Sequence, residues 1–90
     1  MKMDINIAYS NFLKAIENLN SVGNIVAYKD SHPSEFSSLM LSVASFFMYI
    51  KRHASESQEI TSNSYQIIIN TLSKYPELEG LKNTLLIDTL

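Results

Sequence analysis

Two histidines, a scatter of serines and two close pairs of glutamates are the residues of this 90-residue chain with side chains suited to acid–base, nucleophilic or metal chemistry. His32 stands before Pro33, and His53 closes the run Lys51-Arg52-His53. Neither reads as having a partner at ligand spacing, and a two-histidine metal site would still need carboxylates or cysteines beside it. Both read as residues at helix ends. A serine nucleophile needs a base and a place for the oxyanion, and no glycine-flanked elbow surrounds any serine here. Gly23 and Gly80 are the only glycines, which leaves no phosphate-cradling loop. Glu56 with Glu59, and Glu77 with Glu79, read as a solvated loop and a helix start. The expectation is therefore a protein that is not an enzyme and holds no cofactor and no metal.

Composition narrows the partners. The formal net charge is −2, so there is no basic excess to condense onto phosphates, and nucleic acid is a poor partner. Lys51-Arg52-His53 is the only basic cluster and is too short for a nucleic-acid or lipid patch. The absence of cysteine rules out a disulfide framework and fits a reducing compartment. The opening residues MKMDINIAYS lack the apolar core of a signal peptide. The chain reads as cytoplasmic. With 46% hydrophobic and only 18% charged residues, it is apolar-rich for one small domain, and some apolar surface should remain for something else to cover.

The elements are organised around Phe36 to Ile50, FSSLMLSVASFFMYI, fifteen residues without a charge. Wound as a helix from about Pro33 to His53, this stretch puts Phe36, Leu39, Met40, Val43, Phe46, Phe47 and Ile50 on one core-facing arc. Ala44, Met48 and Leu41 form a thinner apolar strip beside it. Ser34, Ser38, Ser42, Ser45 and Tyr49 share the remaining face with Arg52. Serine is a mediocre helix former that a surface helix has no reason to prefer, and its small side chain allows close approach of another helix. That crossing helix comes from within the chain, from a partner or from a second copy. A membrane span is disfavoured, because the run is short of the roughly 20 apolar residues a bilayer requires.

Before this stretch, Asp4 caps a first amphipathic helix whose inner face carries Ile5, Ala8, Tyr9, Phe12, Leu13, Ala15, Ile16 and Leu19, and Gly23 reads as a left-handed stop. Ile25 to Tyr28 is too short to show a period and reads as a short helical turn or loop. After it, Ala54 to Glu59 reads as the main loop, although Ser55 with Gln58 could begin a helix early. Ser62 to Tyr75 reads as a helix by its 3.6-residue period, with a strand over Tyr65–Thr71 as the competing reading because of its β-branched residues. Pro76 opens a last element with acids in its first turn, and the chain closes on the apolar residues Leu85, Leu86, Ile87 and Leu90.

The expected fold is one all-α domain over residues 1–90, a small antiparallel bundle of three to four helices around the central hydrophobic helix. The expected function is a non-enzymatic protein–protein interaction module, of the adaptor, inhibitor, immunity-protein or secretion-chaperone kind. It would bind through Ser34, Ser38, Ser42, Ser45 and Tyr49, or through Leu86, Ile87 and Leu90. The alternative is a helical homodimer with a structural or regulatory role, and a weaker one is a small-molecule-binding bundle whose pocket is lined by Phe36, Phe46, Phe47 and Tyr65.

Overall fold

Asp4 begins the first helix by capping. Its backbone is extended and its carboxylate accepts from the Ile7 N–H at 2.9 Å, which satisfies one of the four donors a helix start leaves unpaired. Asn24 repeats the device on the Ala27 N–H at 2.9 Å and Ser57 on the Ile60 N–H at 3.2 Å. These caps mark α1 (Ile5–Asn20), α2 (Ile25–Ser31) and α4 (Gln58–Leu72), while Pro33 opens α3 (Pro33–Arg52) and a 3-10 turn at Pro76–Leu78 leads into α5 (Glu79–Leu86). The computed structural model of the chain describes residues 3–87; among them there are five α-helices and no strand. The architecture is an all-α bundle, 38 × 28 × 20 Å.

Three boundaries differ from the sequence reading, and the helix read over Tyr65–Thr71 is present. The stretch Ile25–Ser31 is a helix in its own right, two turns held by its Asn24 cap, and it brings the helix count to five. Helix α1 stops at a Ser21 cap with right-handed backbone, and neither glycine has positive φ, so Gly23 is not a left-handed stop. The segment Ala54–Glu56 is a 3-10 turn and α4 starts at Gln58, because the capping serine is Ser57 rather than Ser55. The β-branched run in Tyr65–Thr71 is helical, since its 3.6-residue period puts Ile68 and Leu72 into the core, and burial outweighs a weak local preference.

The core is built where α1, α3 and α4 meet. Phe12, Leu19, Val43, Phe47, Ile50, Ile68 and Leu72 are fully buried. Phe47 is its hub, with the Phe12 ring 5.9 Å away and the Tyr65 ring meeting it edge-on at 5.1 Å. Helix α3 packs chiefly on α1. Of its apolar arc only Val43, Phe47 and Ile50 are completely enclosed, and Phe36, Leu39, Met40 and Phe46 are half-buried. Helix α2 buries Ile25 alone. No helix among the described residues is long and apolar enough to cross a membrane.

Side-chain bonds to main-chain carbonyls tie the element ends down. The Tyr75 hydroxyl lies 3.2 Å from both the Leu19 and the Val22 carbonyls, at the end of α1. The Tyr49 hydroxyl donates to the Met3 carbonyl at 2.9 Å. Lys51 Nζ donates to the Leu85 and Ile87 carbonyls, both at 2.8 Å, and so caps the end of α5.

Candidate functional site

Helix α3 lies across the bundle with its buried side on α1 and α4, and this orientation sorts the five α3 residues singled out by sequence. Ser34, Ser38 and Ser42 line an open groove of about 970 Å³ between α1, α2 and α3. Asn11, Lys14 and Asn18 of α1 form its opposite wall, with Leu39 and Phe46 among the apolar residues that line it. Ser45 is exposed and lies outside the groove. Tyr49 is half-buried: its hydroxyl holds the Met3 carbonyl and its ring stacks on His53 at 4.2 Å. The five residues therefore do not form one continuous open stripe.

The open face of α3 runs along a slightly different line. Ser34, Ser37, Ser38, Leu41, Ser45 and Arg52 are exposed, and Met48 and Ala44 are half-buried at its edge. Leu41, at the middle, is 68% exposed, more than any other large hydrophobic residue described. The thin apolar strip beside the core arc is thus open at Leu41 and half-covered at Ala44 and Met48. Between Glu35 and Lys51 this face carries no charge at all. Among the described residues no helix crosses it.

The apolar end of the chain is covered only in part among the described residues. Leu85 is buried, Leu86 is half-buried against the core, and the Ile87 carbonyl is held by Lys51, although the Ile87 side chain is 57% exposed. Leu90 lies outside the described residues.

Chemically reactive arrangements are sparse. His53 Nδ1 and Glu56 Oε2 are 2.6 Å apart, an exposed pair one helical turn apart in sequence. That i, i+3 spacing was the available signal for bringing the two together. His32 stacks on Tyr28 at 5.2 Å. Among the described residues there is no group of three or more histidines and carboxylates placed to hold a metal, and every buried side-chain nitrogen or oxygen has a hydrogen-bond partner. Buried Ser64, for example, donates to the Ile60 carbonyl at 2.8 Å. Of the aromatics read as pocket candidates, Phe47 and Tyr65 pack on each other, while Phe46 borders the groove.

No protein-family model matches the chain. No curated protein and no solved structure matches it either.

Proposed function

We propose that this chain is a non-enzymatic docking module that presents the open face of α3 to a protein partner. The observation that carries the reading is Leu41, a large apolar side chain two-thirds exposed at the centre of an uncharged helix face. Covering it is worth about 1–2 kcal/mol, and its serine neighbours impose little steric bulk or side-chain entropy on an approaching surface. A free helix face would ordinarily carry Lys and Glu for solvation, and their absence over Phe36–Ile50 is what a docking surface requires. An adaptor, an inhibitor, an immunity-type protein or a secretion chaperone would each work in this way.

The test is a substitution at the centre of the face. Leu41→Lys removes no buried contact, so the variant should keep its helical spectrum and stability to within about 0.5 kcal/mol. It should also lose the proteins that the wild-type chain captures from its host. Capture of the same set by both chains would end the proposal.

A further inference from the structure

The Tyr75 hydroxyl lies 3.2 Å from the Val22 carbonyl and pins the chain there, just before it enters α2. Gly23 comes next, in a bend where even a Cβ would meet nothing within 4 Å. At the far end His32 closes α2 and opens α3 at once. Pro33 lacks an N–H and pushes His32 out of helical geometry, so the two helices cannot run on as one. Helix α2 is therefore a separate piece between two breaks.

Its fastenings are few. Of its seven residues only Ile25 belongs to the core, and Val26 is 49% exposed. The Asn24 side chain caps the Ala27 N–H, the Asn24 carbonyl accepts from the Tyr28 N–H, and the Tyr28 carbonyl accepts from the His32 N–H. These bonds all lie within the segment itself. Among the described residues no hydrogen bond or ion pair joins α2 to another helix. Two ring contacts complete the attachment: Tyr28 meets Phe36 edge-on at 6.5 Å, and Lys29 Nζ lies 5.9 Å from the centre of the same ring. Helix α5, of similar length, has the two Lys51 bonds in addition to its buried Leu85.

We infer that α2 is a strap that releases as a unit, between the bend at Gly23 and the break at His32–Pro33, while α1, α3 and α4 stay packed. A seven-residue helix is unstable away from the bundle, so undocking Ile25 and losing the helix are one event. The fully enclosed side chains of the core come from α1, α3 and α4, so release leaves that core closed. It takes Asn24, Ala27 and Tyr28 off the wall of the groove and strips Phe36 of the Tyr28 ring and the Lys29 ammonium. The strap thus sets how wide the groove between α1 and α3 stands, and does so independently of Leu41.

Native-state amide exchange of the unaltered chain tests the release. The amides of Tyr28 to His32 should exchange together, at least about tenfold faster than those in the middle of α1 and α3. The chain has no cysteine, so a single introduced thiol can report on the anchor. Ile25 and Val43 are both buried, yet Ile25→Cys should react with a thiol reagent at least about tenfold faster than Val43→Cys, with both helical spectra unchanged. Exchange of α2 in step with α1 and α3 overturns the inference, because α2 would then open only with the whole bundle. Fast α2 amides beside an Ile25→Cys thiol as slow as that of Val43→Cys overturn it too, since the turns would be fraying over an anchor that stays docked.

Discussion

The Tyr75 hydroxyl shows how much a single polar atom holds. It has one proton and faces two carbonyls, those of Leu19 and Val22, at the point where α1 runs out of internal donors. Tyr75→Phe keeps the ring and removes this shared bond, and urea denaturation should show a loss of about 0.5–1.5 kcal/mol with an unchanged slope. A variant as stable as the parent would mean that water takes the place of the hydroxyl. Sequence alone places Tyr49 on the serine face as a partner-binding residue and gives Tyr75 no role beyond a helix end. Their hydroxyls instead reach main-chain carbonyls 46 and 53 to 56 residues away, and no local pattern encodes a contact of that range. The His53–Glu56 pair is local, i to i+3, yet reading Glu56 as part of a solvated loop hides it.

Helix α5 depends on another element. It is eight residues long, too short to be stable alone, and its end is held by Lys51 from α3. The Lys51 ammonium also sits 5.8 Å from the Phe47 ring centre, so its stem lies along the core edge. Lys51→Met would keep that packing and remove the cap. Amide exchange should then rise across Glu79–Leu86 while α1 and α3 keep their protection, and uniform loosening of all helices would contradict this local role. The long helices were legible because periodicity over 15 to 20 residues leaves little choice of face. Helix α2, with seven residues, offers too few turns for a period to emerge. The open face of α3 was only half legible. Ser42 and Tyr49 lie on one flank of the line through Ser34 and Ser45, and Leu41 and Met48 on the other. The placement of α1 decides which flank is covered, and that is a tertiary fact.

For the whole molecule, stability concentrates on one ring. Phe47 contacts α1 through Phe12 and α4 through Tyr65, and lies under Lys51. Phe47→Ala should cost about 3–5 kcal/mol, a large share of the roughly 5–13 kcal/mol expected for a chain of this length. Calorimetry should show the melting midpoint falling by more than about 10 °C, and a fall of only a few degrees would show that the core closes around the gap. The all-α class was legible because three amphipathic periods in so short a chain admit little else. Which helix faces stay open was not, since that depends on packing. The two bonds that tie down Met3 and Ile87 also imply something about chain connectivity. Tyr49 and Lys51 are two residues apart and hold carbonyls near opposite ends of the described chain. Those ends therefore flank the same turn of α3, separated by about two helix widths. Fraying of that one turn of α3 would therefore loosen both extremities of the described chain at once, although 84 positions of sequence separate Met3 from Ile87.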